Sequence, residues 1–272
     1  MIALEGDDVD DATIRRLAEL NRRFYEENLE GFSATRGSAW PGWLELARML
    51  GDRLPGIGDG GRPLRVLDIA SGNLRFERFL AEVFPEAGIQ VLAIDSCDGL
   101  ALAQLETLPA NAGVHYEHAD MIDLLMGEGG PGSLPDFGGI TFDVAVSFGF
   151  MHHVPGHALR SRLLRLMAEA LAPGGVLAVS FWRFMDDAQL ADRAHETTAR
   201  AQTELGDLQL GRGDFILGWN GVPGAYRYCH SFDDAEIDAL ANAVGGNLDL
   251  AARYRADGRT GDLNEYLVFQ RI

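Results

Sequence analysis

The central part of the chain alternates between short apolar runs and stretches whose apolar residues recur at helical spacing. The apolar runs are typical of strands buried on both faces. They are "LRVLDIA" (64–70), "IQVLAIDS" (89–96), "FDVAVSFGF" (142–150) and "GGVLAVSFW" (174–182), with the shorter, alternating "VHYEHAD" (114–120). The helical stretches are "FERFLAEVF", "GLALAQLETL" and "HALRSRLLRLMAEAL". Regular alternation of this kind predicts a parallel sheet with helices on both faces.

The flanking segments follow different patterns. Residues 11–30 predict a polar helix with Ile14, Leu17 and Phe24 on its apolar face, and "WLELARML" predicts a second helix before a Gly/Pro linker. After the core, "DDAQLADRAHETTARAQTEL" predicts a polar helix, and "GRGDFILGWNGVPGAYRYCH" is interpreted as a loop. "FDDAEIDALANAV" predicts another helix, and "LDLAARYRA" and "DLNEYLVFQ" predict a final pair of strands.

These patterns predict an α/β fold with a doubly wound, mostly parallel sheet and a terminal antiparallel strand. Residues 1–61 are expected to form an N-terminal helical cap segment and linker, and residues 62–182 the core. Residues 183–231 interrupt the alternation and are interpreted as a cap insertion. Residues 232–272 supply the helix and the strand pair that complete the core.

Composition narrows the functional classes. The 272 residues are 47% apolar and 24% charged, with no apolar run of membrane-spanning length and no basic leader before an apolar stretch. Cys97 and Cys229 are the only cysteines, so we expect reduced thiols and a cytoplasmic location without membrane attachment. The formal net charge of -18 disfavours unaided nucleic-acid binding. It suits a cationic ligand, or it is only a solvated surface.

Three carboxylates stand at the ends of predicted strands. Ligands of open α/β sheets bind at the carboxyl ends of the strands. Asp68 ends the first strand, Asp95 the second and Asp120 the third. Asp95, followed by Ser96, is placed to accept hydrogen bonds from both hydroxyls of a ribose, and Asp120 with Met121 to contact an adenine. We therefore expect an adenosine-type ligand.

The turn after the first strand argues against a dinucleotide as the ligand. Dinucleotide-binding loops carry extra glycines that let the backbone approach a pyrophosphate, but in "DIASGNL" Ala70 and Leu74 stand at two glycine-type positions and only Gly72 remains. S-adenosylmethionine contains a ribose and an adenine without phosphate, and Asp68 suits its ammonium and sulfonium charges. The predicted cofactor residues are Asp68, Ala70, Ser71, Gly72, Asn73, Asp95, Ser96, Asp120, Met121, Ser147 and Phe148.

With these residues the span 64–182 resembles the Rossmann-like S-adenosylmethionine-dependent methyltransferases. Their loop pattern is Asp-x-Gly-x-Gly-x-Gly, from which this chain departs at Ala70 and Leu74. "FDVAVSFGFMHHVP" is similar to the family's fourth strand and the loop that faces the transferable methyl group, and "LAPGGVLAVS" is similar to its turn into the fifth strand. The resemblance implies a Rossmann-like core, S-adenosylmethionine as cofactor and methyl transfer as the reaction.

A narrower resemblance covers most of the chain. "FSATRGSAWPGW", "MHHV" and "GDFILGW…YRYCHSF" are similar, in the same order, to stretches of the tRNA wobble-uridine (5-carboxymethyluridine) carboxyl methyltransferases, and "LNEYLVFQ" to their terminal strand. This resemblance implies a carboxylate acceptor on tRNA that becomes a methyl ester. It also implies a small zinc-binding activator subunit as partner. The shortage of basic residues is the main departure from that family.

The narrower resemblance also implies acceptor residues. Arg36 and Arg227 match positions expected near the carboxylate, which arginine can hold with two hydrogen bonds. His153 is interpreted as orienting the acceptor. The further acceptor-side candidates are His152, Trp40, Trp219 and Asn220. The alternatives are arginines paired with surface carboxylates, a histidine capping the next helix and tryptophans in the core. Adding His157 to the histidine pair does not make a convincing metal site, and no metal is expected.

Three functional hypotheses follow. The first is a carboxyl O-methyltransferase of the wobble uridine of tRNA. The second is an O- or N-methyltransferase of secondary metabolism that acts on a small carboxylate or phenol. The third is a non-catalytic Rossmann-like subunit that scaffolds a partner.

Overall fold

The computed structural model describes residues 9–29, 31, 38–54, 61–127, 139–206 and 208–272. Its main sheet has seven strands in the order β3-β2-β1-β4-β5-β9-β8. All its neighbouring strands are parallel except around β9, which is antiparallel to both β5 and β8. The strands are β1 (Leu64–Ile69), β2 (Ile89–Asp95), β3 (Ala112–His118), β4 (Phe142–Ser147), β5 (Leu171–Trp182), β8 (Leu248–Ala256) and β9 (Asn264–Arg271). The predicted fold class is confirmed, including the antiparallel strand.

Helices cover both faces of this sheet. They are α1 (Asp11–Glu27), α2 (Pro41–Arg53), α3 (Arg75–Val83), α4 (Asp98–Leu105), α5 (Met121–Met126), α6 (His157–Ala170), α7 (Ala188–Leu205) and α8 (Asp234–Ala243). One core contains the apolar faces of α6 and α8, and the other contains those of α2 and α3. Among the described residues no helix is both long enough and apolar enough to cross a membrane.

The segment interpreted as a loop after α7 is a β-hairpin, so that interpretation is wrong. Its strands are β6 (Asp214–Trp219) and β7 (Val222–His230), which pair antiparallel. Asn220 and Gly221 join them with positive φ angles of 45° and 72°. A two-residue turn of this type strongly favours the Asn-Gly sequence, which identifies the hairpin. The hairpin packs against α1, where Leu17 lies among Tyr226 and Tyr228.

Helix α2 lies very close to the sheet at one residue. Pro41 occupies the first turn of the helix, where its missing N–H is no loss. The next residue, Gly42, donates its N–H to Asp257 (2.9 Å) and accepts a hydrogen bond from the Tyr254 hydroxyl (2.8 Å). A Cβ at Gly42 would lie 2.4 to 2.7 Å from atoms of the fully buried Tyr266 ring. The helix approaches the sheet this closely only because residue 42 is glycine.

We expect Gly42→Ala to destabilise the protein by about 1–3 kcal/mol, because the Tyr266 ring has no space into which it can move. Gly51→Ala is the matched control: Gly51 lies in the same helix and its added Cβ would meet nothing within 4 Å. That control should be neutral or stabilising by up to about 1 kcal/mol. Urea unfolding of both variants measures the difference, and equal stabilities would contradict the close packing.

Candidate functional site

A cavity opens at the carboxyl ends of the parallel strands. The loops after β1, β2, β3 and β4 line one side, and residues of α1 and α2 line the other. All the predicted cofactor residues except Ser147 line it: Asp68, Ala70, Ser71, Gly72, Asn73, Asp95, Ser96, Asp120, Met121 and Phe148. Ser147 is fully buried, and its hydroxyl donates to the carbonyl of Ile69 (3.0 Å), so it ties β4 to β1 instead.

The loop after β1 keeps a left-handed backbone without the expected glycines. Ala70, Gly72 and Leu74 have φ angles of 61°, 57° and 53°. These are the three glycine positions of the methyltransferase pattern, so the substitutions have not changed the type of conformation. Left-handed geometry costs a residue with a side chain roughly 1–2 kcal/mol. The loop is held by hydrogen bonds from Ala70 N to Ile94 O (2.8 Å) and from Gly72 N to Asp95 Oδ2 (2.8 Å).

Asp95 connects the first two loops of the site. Its second oxygen accepts from the N–H of Cys97 (2.8 Å), just before α4. Burial raises the pKa of Asp95, and the N–H groups of Gly72 and Cys97 act against that rise. Burial likewise raises the pKa of the Cys97 thiol to about 11, so this cysteine is not a thiolate nucleophile at neutral pH. The ribose assignment of Asp95 stays a prediction, and its position at the cavity wall is compatible with it.

Asp68 and Asp120 have contrasting surroundings. Asp68 is 3% exposed, and no described arginine or histidine forms an ion pair with it, which fits a ligand carrying cationic groups. Asp120 caps α5 through the N–H of Ile122 (2.8 Å) and pairs with Arg22 of α1 (2.9 Å). This ion pair brings α1 to the side of the cavity assigned to adenine. Sequence reasoning missed Arg22, because a charge on the polar face of a helix carries no periodic pattern.

At the far end of the cavity, His153 forms a hydrogen-bonded pair with Tyr25. The Nδ1 atom of His153 lies 2.8 Å from the carbonyl oxygen of Tyr228 and its Nε2 lies 2.8 Å from the Tyr25 hydroxyl. A carbonyl only accepts, so Nδ1 carries the hydrogen and Nε2 accepts from Tyr25. Helix α6 begins at His157 with Gly156 as N-cap, so His153 does not cap it.

Helix α1 supplies two residues at this end that the sequence did not indicate, Asn21 and Tyr25. The Asn21 side chain accepts from the N–H of Tyr228 (2.7 Å), and its amide nitrogen lies 3.2 Å from His153 Nδ1. The helix, the hairpin and the turn after β4 therefore meet at one point. They do so on the carboxyl-end side of the sheet, where a cap is expected.

The other acceptor candidates that the structure describes do not line the cavity. Arg36 lies outside the described residues. His152 is buried with its ring 5.1 Å from that of Trp182. The ring of Trp40 lies 5.4 Å from that of Trp43, which itself lines the wall together with Arg75. Trp219 packs on the hairpin against Phe24, and Asn220 lies at the exposed turn, where its role is to allow the backbone to reverse.

Arg227 is buried, and no carboxylate of the described residues forms an ion pair with it, although the alternative interpretation requires one. It is 7% exposed, and its Cζ lies 5.0 Å from the ring centre of Phe24 and 5.2 Å from that of Trp219. Its Nε and Nη1 atoms are buried and have no hydrogen-bond partner in the described part of the chain. Arg227 does not line the cavity itself, but Phe24 packs on Tyr25, which does (ring centres 5.2 Å apart).

A buried cluster of His152, His153 and Cys229 has its ligand-type atoms within 4.8 Å of one another. His157, the third histidine considered in the sequence analysis, is not part of it. Both ring nitrogens of His153 already take part in hydrogen bonds to protein groups. We therefore assign this cluster to packing, and the absence of a metal stays a prediction.

A buried charge cluster of Arg160, Asp214, His230 and Glu236 fixes the hairpin to the core. Arg160 pairs with Glu236 (2.5 Å) and donates to the Tyr228 hydroxyl (3.1 Å). His230 lies between Asp214 (2.7 Å) and Glu236 (2.6 Å). Burial would raise the pKa of both carboxyls, but hydrogen bonds from His230 and the charge of Arg160 hold both pKa values below their usual range.

We expect Glu236→Gln to destabilise the protein by about 3–5 kcal/mol at pH 7, because Arg160 and His230 lose a buried charged partner. A carboxyl with a lowered folded pKa stabilises above its unfolded pKa, near 4, and loses that effect as the pH falls through the folded pKa. The difference from the wild type should therefore shrink below about pH 4. Urea unfolding from pH 3 to 7 measures it, with the exposed Glu169→Gln as control. A pH-independent difference would contradict the ion-pair assignment.

We expect Asp95→Ala to lower the affinity for S-adenosylmethionine roughly 10- to 150-fold, as for lost hydrogen bonds to a charged group. The demethylated product has the same ribose and should be affected equally. Titration calorimetry with both ligands measures this, and the exposed Glu106→Ala at the end of α4 is the control. Unchanged affinity would remove the ribose assignment.

Comparison with known proteins agrees with this geometry. Residues 67–177 match the protein family described as "Methyltransferase domain". No curated protein sequence matches the chain at a significant level.

Three solved structures have the same fold. Magnesium protoporphyrin IX methyltransferase (ChlM) from Synechocystis PCC 6803, with bound S-adenosylhomocysteine, is 15% identical with a TM-score of 0.56, over 92% of this chain and 97% of that chain. N-methyltransferase NodS from Bradyrhizobium japonicum WM9 is 15% identical with a TM-score of 0.51, over 96% and 99%. A SAM-dependent methyltransferase from Methanosarcina mazei is 18% identical with a TM-score of 0.52, over 80% and 97%.

At these identities the structural similarity shows the fold, while the family match covers the strands and loops that form the cavity. The expected cofactor and reaction class agree with both comparisons. Residues 67–177 therefore form a methyltransferase domain, and the chain has the Rossmann-like fold of the S-adenosylmethionine-dependent methyltransferases.

Proposed function

We propose that the acceptor of the methyl group is a carboxylate oxygen. The observation that carries this proposal is the buried guanidinium of Arg227, whose Nε and Nη1 atoms have no partner in the described residues. A buried cation without a counter-charge is costly. The rings of Phe24 and Trp219 offset part of this cost through cation–π contacts, and a bound anion offsets more of it.

The requirements of carboxylate methylation are modest. S-adenosylmethionine supplies the methyl group from its sulfonium, and an ionised carboxylate needs no base. The chain's own residues then have to align the acceptor oxygen and exclude water. The aromatic wall of Trp43, Phe76 and Phe148 provides a dry surface beside the loop after β4.

We propose the wobble uridine of tRNA as the bearer of this carboxylate, because the flanking motifs match that family in order. The net charge of -18 opposes binding of a polyanion by this chain alone. A basic partner, such as the small zinc-binding subunit that accompanies the resembling family, would supply the missing phosphate contacts. A small free carboxylate could be methylated by the same chemistry, and its binding would require no basic partner.

A second candidate acceptor bears a proton, as a phenol or an amine does. The hydrogen-bonded pair of Tyr25 and His153 favours it, since Nε2 of a neutral imidazole can take a proton through the Tyr25 hydroxyl. In that reaction the acceptor proton moves to the Tyr25 oxygen while the Tyr25 proton moves to His153.

The stability of the transferred methyl group in alkali distinguishes the two candidates. Labelled S-adenosylmethionine is incubated with the protein and either total RNA or a small-molecule extract of the host. A methyl ester releases methanol in mild alkali, whereas a methyl ether or methylamine does not. Alkali-labile label in RNA supports the tRNA proposal and in small molecules the free carboxylate, while alkali-stable label overturns both.

We expect Arg227→Ala to weaken transition-state stabilisation by about 2–5 kcal/mol, because a desolvated carboxylate loses its charged partner. Affinity for the cofactor should change little, since Arg227 does not line the cofactor side of the cavity. The exposed Arg193→Ala in the same cap insertion is the control. Methyl-transfer rates and calorimetry separate the two effects, and an unchanged rate would exclude Arg227 from acceptor binding.

A further inference from the structure

A buried acidic residue behind the cofactor loop has no assigned role. Glu77, on the first turn of α3, is 0% exposed, and neither of its carboxyl oxygens has a hydrogen-bond donor in the described part of the chain. The carboxyl group of Asp68, at the end of β1, is close enough to interact electrostatically with that of Glu77. Asp68 lines the cavity, whereas Glu77 does not.

Several other buried carboxylates of this protein have cationic partners. Asp143 pairs with Arg62 (2.6 Å), and Glu265 pairs with Arg183 (2.6 Å). Within the described residues no arginine or histidine forms such a pair with Asp68 or Glu77. Two interacting carboxyl groups in a buried site cannot both be ionised without a large cost, so the site favours a state in which one of them keeps its proton.

The other titratable groups facing this pair are also acidic. The charge of Asp95 on β2 raises the pKa of both Asp68 and Glu77. The charge of Asp120, at the end of β3, raises the pKa of Asp95 in turn, although Asp120 itself forms an ion pair with Arg22. Burial and the charge of Glu77 raise the pKa of Asp68 well above its ordinary value. Burial raises the pKa of Glu77 to about 7.

We propose that Asp68 and Glu77 share one proton in the cofactor-free protein, and that binding the cationic methionyl end of the cofactor releases this proton to solvent. The proposal rests on the assignment of Asp68 to the cofactor and is independent of the acceptor. Glu77 is a positioning residue, because it acts on the cofactor only through Asp68. The cofactor's charge takes the place of the proton, so cofactor binding becomes tighter as the pH rises.

Titration calorimetry in two buffers with different ionisation enthalpies counts the protons released. At pH 7 the wild type should release about one proton per S-adenosylmethionine bound, and its affinity should rise by up to about tenfold per pH unit below the pH at which the pair ionises unaided. Glu77→Gln should bind without this release and with a flat pH dependence, because a glutamine amide donates to a permanently ionised Asp68. The exposed Glu82→Gln on the same helix is the control and should behave as the wild type.

A second readout uses the cofactor-free protein alone. An acid with a raised folded pKa binds more protons when folded, so its contribution to stability falls as the pH rises through that pKa. Glu77→Gln should therefore have a higher Tm than the wild type at pH 8 and lose this advantage at pH 5. Binding by the wild type without proton release, or the same release from Glu77→Gln, would overturn the proposal. No detectable binding would overturn it together with the cofactor site.

Discussion

The buried charge cluster around Arg160 is the constraint on which the position of the β6–β7 hairpin depends. It joins the hairpin, through Asp214 and His230, to α6 and α8. Apolar residues of similar size would provide comparable stability, but a set of hydrogen bonds between buried charges permits few relative positions of its members. The hairpin position in turn sets the Tyr228 main chain, which holds both Asn21 of α1 and His153 after β4.

The cavity consequently has two ends of different character. At the cofactor end Asp68, Asp95 and Asp120 gather negative charge, and only Asp120 is balanced by an arginine among the described residues. At the other end no carboxylate of the described residues lines the wall, which contains His153, Tyr25 and Asn21, with Arg227 behind Phe24. This difference between the two ends agrees with the proposed reaction, in which a cationic cofactor transfers its methyl group to an anionic acceptor. The acidic residues that suit the cofactor are then separated from the arginine proposed for the acceptor.

The sheet and the cofactor loops could be predicted from the sequence, because the apolar strands and the regular spacing of apolar residues in the helices determine the order of the elements. Fully apolar strands can only be central, and a polar residue that ends such a strand has to face the ligand edge. The hairpin was missed although Asn220-Gly221 indicated it, since apolar and polar positions in "DFILGW" do not alternate cleanly. Tyr25, Asn21, Arg22 and Glu77 lie on helices, and helical periodicity shows which residues are apolar but not which polar side chain will be enclosed by distant elements.

The left-handed Ala70 and Leu74 have a consequence for the unfolded chain. Glycine loses more backbone conformational freedom on folding than any other residue. An unfolded loop with a single glycine therefore has fewer conformations than a loop with three, and it loses less entropy when it folds. Leu74 also inserts its side chain into the core beside α3, where it is fully buried. The loop is thus anchored from below by packing as well as from the side by Asp95. The loop therefore takes up its shape during folding, and cofactor binding does not have to order it at a further loss of conformational entropy.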